Sequence, residues 1–580
     1  MTRNGAFADA LLELADRLEA RDVDFKPQMY RTAAANIRDH PESLDGLVAS
    51  GRITAIDGVG ESIAEKAATF LDRGTFDALE RERERLPVDM PALTAVEGLG
   101  PKRVKALHDA LGIRDLDDLE AAAEAGDIAT VSGFGEKTQQ NVLDRIEFAR
   151  QTRKRELLGE ARPVAEALLD SLEAVSGVEA CETAGSLRRW KETVGDVDLL
   201  AATDEPEGAI ETFTRLDRVD DVIEAGTTKA SIRADGLRVD LRVVDPAEYG
   251  AALQYFTGSR EHNIRLRGAA LEQGYKVNEY GVFDVSDVAD PDAGQRVGTR
   301  VAGEREAEIY DVLGLPYIEP ELREDTGELD AAREGRLPTL LERGHLRGDL
   351  HVHTVRSDGR ATLDEMAAAA AEAGHDYLVI ADHATGPGIV ADTGLSEEAL
   401  RESIAAIQSL NEDTEIELLA GVEANIDPDG AVIDTPDAVL AELDCVVASP
   451  HTALDASEDA TDRLIAAAEH PSVDILGHPS GRLLNQREGL SIDVAELAAA
   501  AAEAGTALEI NANPTRLDLW DGAVRSALAE GATLAINTDA HSTREFANLT
   551  YGVHVARRGW AEPTDVLNTR SLEELMTFLH

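Results

Sequence analysis

From about residue 346 onward the sequence repeats one pattern, a short apolar run followed by an Ala-rich helical stretch. The runs read DYLVIADH, ELLAGVEANI, DCVVASPH, VDILGHPS, ALEINANP and ATLAINTDAH, and MAAAAAEAG and LAAAAAEAG lie among the stretches between them. Repeated β-α units leave few choices, because helices cover the faces of a parallel sheet or wrap one closed into a barrel. Ahead of these runs, GDLHVHTVRSDG puts His351 and His353 two apart on a strand, hence on one face, with Asp358 just after. More ligand-type residues recur at the run ends: His383, Glu423, His451, His478, Asp539 and His541. Six of the 14 histidines occupy such positions. Imidazole with carboxylate suits Zn²⁺, Mn²⁺ or Fe²⁺, and the C-terminal ends of barrel strands are where β/α barrels place their chemistry.

A second cluster of chemistry precedes this region. In AGSLRRWKETVGDVDLL, Asp196 and Asp198 share one face of a strand. Side by side they repel, unless divalent cations are shared between them. GLRVDLRVVD supplies a third carboxylate, Asp240, on another alternating strand. Such a trio suits phosphoryl transfer, in which two metal ions stabilise the attacking and leaving oxygens. Ser186 and the Arg188–Arg189 pair lie on the turn upstream, placed to hold a triphosphate.

The first 150 residues contain IDGVGESIAEKAATFL, VEGLGPKRVKALHDAL and VSGFGEKTQQNVLDRI. Each is Gly-apolar-Gly followed by an amphipathic helix, with glycine pairs at Gly58 and Gly60, Gly98 and Gly100, and Gly133 and Gly135. They resemble helix-hairpin-helix motifs, whose helix starts offer N–H groups to backbone phosphates without reading bases. IEPELREDTGELDAAREGRLP is polar and acidic and reads as a connector. The expected domains are 1–85 and 86–152, both helical, a mixed α/β region at 153–245, a smaller mixed one at 246–320, a linker at 321–345 and the barrel at 346–580.

A net charge of −56, from 112 acidic and 56 basic residues, ordinarily argues against nucleic acid. At molar salt the Debye length is only ~3 Å, so that long-range repulsion vanishes. There are nine lysines against 47 arginines, with none beyond Lys276. This balance resembles that of proteins from salt-loving microbes, and a halophilic archaeon is the expected source. Two cysteines, Cys181 and Cys445, make no disulfide framework. With no apolar run of ~20 residues and no signal-like start, a cytoplasmic protein without membrane contact is expected.

Together these motifs resemble the family X DNA polymerases, the family of polymerase beta, joined to a PHP (polymerase and histidinol phosphatase) domain. The resemblance includes YFTGSREHNIRLRGAALEQGYKVNEYGVF, which looks like that family's thumb. It implies helical helix-hairpin-helix domains, a nucleotidyltransferase palm and thumb, and a distorted (β/α) PHP barrel. It also implies that Asp196, Asp198 and Asp240 bind Mg²⁺ or Mn²⁺, with Asp240 helping to activate the primer 3′-OH. Ser186, Arg189, Gly195 and Gly258 would contact the dNTP, Tyr255 and Phe256 would flank its sugar, and Asn263 and Arg267 would face the minor groove. All nine PHP ligand positions are filled, implying up to three ions of Zn²⁺, Mn²⁺ or Fe²⁺ and 3′–5′ exonuclease chemistry. K⁺ or Na⁺ would accompany the hairpin motifs. Lys66 falls where lyase members carry a Schiff-base lysine, with Tyr30 and Lys26 in matching places. Ser62 departs from that pattern, so Lys66 is either nucleophile or phosphate contact. Arg482 and Arg516 are phosphate clamps or surface residues.

The implied protein is a monomeric DNA repair polymerase acting on gapped or primer-template DNA. The alternatives are a DNA-binding scaffold with only the phosphoesterase active, and a phosphatase fused to a transferase acting on RNA ends. If the acidic surface is a salt adaptation, a KCl series should show thermal melting rising toward molar salt. Greatest stability and activity near about 50 mM KCl, where ordinary basic binders hold DNA best, would contradict it.

Overall fold

Gly58, Gly98 and Gly133 adopt φ of 74°, 83° and 90°, a region costly for side chains with a Cβ. Two residues later Gly60 and Gly100 cap the helices Glu61–Arg73 and Pro101–Leu111, and Gly135 precedes the helix Glu136–Thr152. The repeats are therefore three tight turns, each feeding a helix start that faces open space. The structure, a computed structural model, describes the chain apart from residues 1–2, 24, 39–43, 57, 97, 153–154, 292, 387–392, 429–434, 455, 457–458 and 580. The expected boundary at 152–153 thus touches residues outside the described ones. Two units emerge, one of residues 1–183, 193–246 and 485–487, the other of 184–192, 247–484 and 488–580.

The first unit begins with two helical cores. Phe7, Leu11, Ile37, Ile63 and Phe76 belong to one, and Met90, Leu93, Leu107, Leu119 and Ile146 to the other. The buried Arg17 donates to the carbonyls of Leu86 (2.7 Å) and Val88 (2.9 Å) at the passage between them. A two-stranded ribbon, β1 (Glu156–Leu157) with β3 (Thr193–Val194), precedes a five-stranded sheet. That sheet is ordered β2 (Ala180–Thr183), β4 (Val197–Ala202), β7 (Leu237–Val244), β6 (Lys229–Ala234), β5 (Val219–Ala225). Only β4 and β7 run parallel. Strand β7 alternates strictly: Leu237, Val239, Leu241 and Val243 are buried, and Arg238, Asp240 and Arg242 occupy the other face.

In the second unit, the helices Tyr249–Thr257 and Arg260–Glu272 lead into an antiparallel sheet of β8 (Tyr275–Asn278), β9 (Gly281–Asp284) and β10 (Thr299–Ala302). Gly250 lets the first helix approach residue 305, since a Cβ there would lie 2.2 Å from the Arg305 carbonyl carbon. The stretch expected to be a connector is packed instead. Leu322, Leu329 and Ala332 join the core beneath these helices, and Arg323 is fully buried. Arg323 donates to Glu306 (2.5 Å) and to the Ile318 carbonyl (2.9 Å), while Arg188 holds both Glu306 oxygens at 2.8 Å. Burial pushes Glu306 up, but the two arginines outweigh it and hold the carboxyl at about 2. The charged composition of this stretch therefore reflects internal pairing as well as solvated surface.

The barrel follows as seven parallel strands in chain order: β11 (Gly348–Val352), β12 (Tyr377–Ile380), β13 (Glu417–Asn425), β14 (Cys445–Ser449), β15 (Ile475–Leu476), β16 (Ala507–Asn511) and β17 (Leu534–Asn537). The His353 amide donates to the Ala540 carbonyl (2.8 Å), joining the first strand end to the last, so the barrel is nearly closed. The Ala-rich runs are covering helices, Leu363–Glu372 capped by Thr362 and Val494–Ala504 capped by Asp493. No helix among the described residues is long and apolar enough to cross a membrane.

Two candidate metal centres

In the first unit, Asp198 and Asp240 are register partners on the parallel strands β4 and β7, and Asp196 immediately precedes β4. Burial, then the charges of Asp196 and Asp240, push the Asp198 carboxyl up to about 6. Arg238 donates to both Asp240 oxygens (3.3 and 3.2 Å) and orients that carboxylate. The three acids lie on or just before the neighbouring interior strands β4 and β7, and one of them resists ionisation, a setting that a divalent cation would relieve. Gly195 is exposed beside Arg155, whose Nη1 would lie 3.7 Å from a Cβ there.

The remaining implied nucleotide contacts lie in the second unit. Ser186 and Arg189 belong to the segment 184–192, in and just after the short helix Gly185–Arg188. The Arg189 guanidinium is engaged by Glu324 (3.0 Å) and donates to the Thr257 carbonyl. Gly258, with φ 72°, leaves room for it, since a Cβ would sit 3.1 Å from Arg189 Nη1. Tyr255 and Phe256 meet edge to face at 5.2 Å. Asn263 is held at both ends, donating to the Tyr255 carbonyl (2.8 Å) and accepting from Gln254 (2.8 Å). Arg267 donates to the Asn263 carbonyl (3.2 Å).

Lys66 donates to the Ser62 hydroxyl (2.8 Å) and carbonyl (2.9 Å), with its Nζ 5.7 Å from the Tyr30 ring centre. Burial lowers its ammonium below the usual range, and Lys26 and Arg81 add to that against Glu65. Ser62, the departure from the lyase pattern, is thus itself a partner of the lysine.

The barrel brings its nine sequence-selected residues to one end. Eight fall into three overlapping groups whose ligand atoms lie within 4.8 Å of one another: His353, Asp358, His383 and His541; His351, His353 and Asp539; His383, Glu423 and His451. His478 completes the set at 3.0 Å from Glu423. The His351 Nε2, His353 Nδ1 and Nε2, and Glu423 Oε2 atoms are buried without hydrogen-bond partners. Orphaned nitrogens facing carboxylates fit transition-metal ions. Burial resists charge on His383 and His541, yet Glu423 and Asp358 raise the former to about 10, and Asp358 and Asp539 raise the latter to about 9. Burial and the neighbouring His541 and His383 drive His353 down to about 3.

Sequence reasoning missed the groups that orient these ligands. Glu509, fully buried, takes His351 Nδ1 at 2.8 Å, the His478 amide at 2.6 Å and Asn537 at 2.9 Å. Asn425 takes His451 Nδ1 at 2.6 Å. Such outer partners fix the imidazole tautomer and turn the other nitrogen to the ion. The available signal was positional: Glu509 sits in ALEINANP, the one run whose end carried no assigned ligand. Arg482 proves to be no free clamp, donating to the Arg516 (2.9 Å) and Leu517 (2.5 Å) carbonyls and to Glu192 (2.7 Å). Arg516 stands 3.7 Å from Asp539.

The chain is 35% identical over 563 residues to the DNA polymerase/3′-5′ exonuclease PolX of Bacillus subtilis (strain 168), covering 96% of each. This chain belongs to the PolX family. Models of the DNA polymerase beta thumb, a helix-hairpin-helix domain, a SAM-like helix-hairpin-helix tandem and the PHP domain match residues 252–324, 2–76, 90–147 and 349–513. DNA polymerase lambda of Rattus norvegicus is 29% identical over 294 residues, 47% of this chain and 48% of that one. A protein named "Probable phosphatase" from Thermoanaerobacter sp. (strain X514) is 30% identical over 238 residues, 38% of this chain and 89% of that one. The chain is therefore an enzyme, a family X polymerase joined to a PHP phosphoesterase.

Near pH ~7 the ion-free His383 and His541 hold protons that an incoming ion must displace. Apparent Mn²⁺ affinity at the barrel should therefore rise with pH toward about 9 to 10, with protons released on loading. Titration calorimetry in buffers of different ionisation enthalpy measures both, and pH-independent binding without proton release would contradict these assignments.

Proposed function

We propose that this chain fills short gaps in DNA from dNTPs at the palm aspartates and trims 3′ ends at the barrel cluster, as a cytoplasmic monomer serving base excision repair. The observation that carries the reading is the coexistence in one chain of two donor sets with different chemistry. One is three carboxylates, suited to Mg²⁺ or Mn²⁺; the other is six imidazoles and three carboxylates, suited to Zn²⁺, Mn²⁺ or Fe²⁺. When bound, the palm ions neutralise phosphate charge, and the barrel ions make hydroxide available near neutral pH.

The chain's own groups do the rest. Asp240, steadied by Arg238, faces the primer 3′-OH and draws off its proton. Ser186 and Arg189 hold the triphosphate, with Gly195 and Gly258 allowing close approach. Tyr255 and Phe256 crowd a ribose 2′-OH, and Asn263 and Arg267 sense the minor-groove edge of the new pair. Gly58, Gly60, Gly98, Gly100, Gly133 and Gly135 grip the DNA backbone with K⁺ or Na⁺, and Lys26 and Tyr30 border the 5′ end. In the barrel, Glu509 and Asn425 hold His351 and His451 with one nitrogen turned inward, and Arg516 steadies the phosphate.

A labelled primer on a gapped duplex at molar KCl tests the division. Asp198→Ala should lower extension by at least about 100-fold, more than loss of an outer-shell partner costs, and leave trimming intact. His351→Ala with His353→Ala should do the reverse. Extension by the first variant, or trimming by the second, at the wild-type rate would refute the corresponding assignment, and inert wild-type protein would favour the scaffold reading.

A lysine whose ammonium is destabilised is a competent imine former, so Lys66 is also proposed as a lyase nucleophile on 5′-deoxyribose-phosphate. Borohydride should trap wild-type protein on that end and fail with Lys66→Ala. Equal trapping by both would reduce Lys66 to a phosphate contact.

A further inference from the structure

The segment 184–192 carries two of the proposed triphosphate contacts, yet its only regular structure is the helix Gly185–Arg188, too short to hold itself. The barrel domain supplies what holds it. Trp190 lies flat on the His554 imidazole, centroids 3.5 Å apart and planes within 6°, and meets the Tyr551 ring at 6.0 Å and 74°. Both partners lie on the helix Leu549–Arg558. From the end of that helix the buried Arg558 donates to the Arg189 carbonyl (2.6 Å) and to Glu324 (3.1 Å), and pairs with Asp521. Glu324 in turn holds the Arg189 guanidinium at 3.0 Å. At the far end, Glu192 is held by Arg482 of the barrel at 2.7 Å. His554 itself is fixed by Glu321, 2.7 Å from its Nδ1.

We infer that the barrel helix Leu549–Arg558 is a positioning element of the polymerase, with Arg558 and His554 as positioning residues that hold the triphosphate-binding segment in its working shape. The inference rests on the polymerase reading above. The contacts are of the kind that fix geometry: a stacked ring pair, and a guanidinium divided between a backbone carbonyl and two carboxylates. Burial opposes charge on Glu324 and Asp521, but Arg189 followed by Arg558 overrides it at the first and Arg558 followed by Lys191 at the second, so the anchor is charged on both sides. Loosening it gives the segment conformations that dNTP binding must first exclude, which weakens binding before it slows chemistry. The phosphoesterase domain would thus serve the polymerase through a surface distinct from its own metal cluster.

The experiment uses the full chain on a single-nucleotide gap, reading dNTP KM and kcat, Mn²⁺-dependent trimming and thermal melting. Arg558→Gln and Trp190→Ala should each raise dNTP KM about tenfold, the factor expected from one lost charge-assisted contact or ring pair. Both kcat and trimming should stay within about twofold of wild type. Trp190→Phe, which keeps a stacking ring, should restore KM. Asp521→Asn disturbs the same arginine from a partly exposed position, and should raise KM by a smaller factor even if the buried variants fold poorly. Unchanged KM in folded Arg558→Gln and Asp521→Asn would overturn the inference. So would a parallel fall of extension, trimming and melting, which marks mere domain packing. Wild-type protein that fails to extend would instead sink the polymerase reading, and the same gel reports that before any variant is compared.

Discussion

Glu423 is buried and five histidines converge on it, with nitrogens 2.7, 3.0, 3.2, 3.5 and 3.6 Å from its oxygens. A lone carboxylate in such a place would cost many kcal/mol, so everything around it must answer that charge. The barrel does this by geometry. Seven parallel strands end at one rim, and each brings there one of the nine ligand-type residues or a group that orients one. Strand β16 contributes Glu509, whose oxygens are taken by His351, Asn537 and the His478 amide. The ring of ligand-type residues is therefore held in shape by hydrogen bonds beneath it, a geometry built before any ion is bound.

Two carboxylates elsewhere in the chain answer burial in different ways. Asp198 and Glu306 are both largely buried, but in opposite electrostatic settings. Glu306 has Arg188 and Arg323 against it and is held at about 2, a finished ion pair. Asp198 is pushed up to about 6 by burial and then by Asp196 and Asp240, which outweigh Arg242 and Lys229, and that leaves a demand for positive charge. Facing arginines thus lower Glu306, whereas burial among like charges raises Asp198, and that is the electrostatic difference between the two positions.

The barrel and the gathering of nine ligand-type residues at one end of it were legible because two regularities coincide in the sequence: β-α alternation, and ligand-type residues at the run ends. The hairpin glycines were legible because positive φ restricts the residue that can stand there, and all three turns show it. Residues 321–345 were misread as a linker because composition reports polarity and not partners. Arg323, Glu321 and Glu328 are buried because their opposites lie far along the chain or on other elements, at Glu306, Arg557 and His262. Arg482 was misjudged for the same reason, its partner Glu192 being 290 residues away. Glu509 escaped notice because a residue that orients a ligand has no spacing rule of its own.

A polymerase with a net charge of −56 must nevertheless bring phosphates to its surface, and its structure offers sources of positive potential for that. Wherever phosphate is expected, the positive potential comes mostly from sources absent from the side-chain count. At the hairpins it comes from backbone amides at helix starts after Gly60, Gly100 and Gly135, whose dipoles carry no net charge. At the two centres it would come from bound cations, which acidic residues attract rather than repel. The arginines nearest the palm turn are largely committed to internal carboxylates, as Arg188 is to Glu306 and Arg189 to Glu324. An acidic surface and a phosphate-handling interior are therefore compatible under the function proposed above, because carboxylates that would repel DNA in bulk would, at the two centres, hold the cations that attract it.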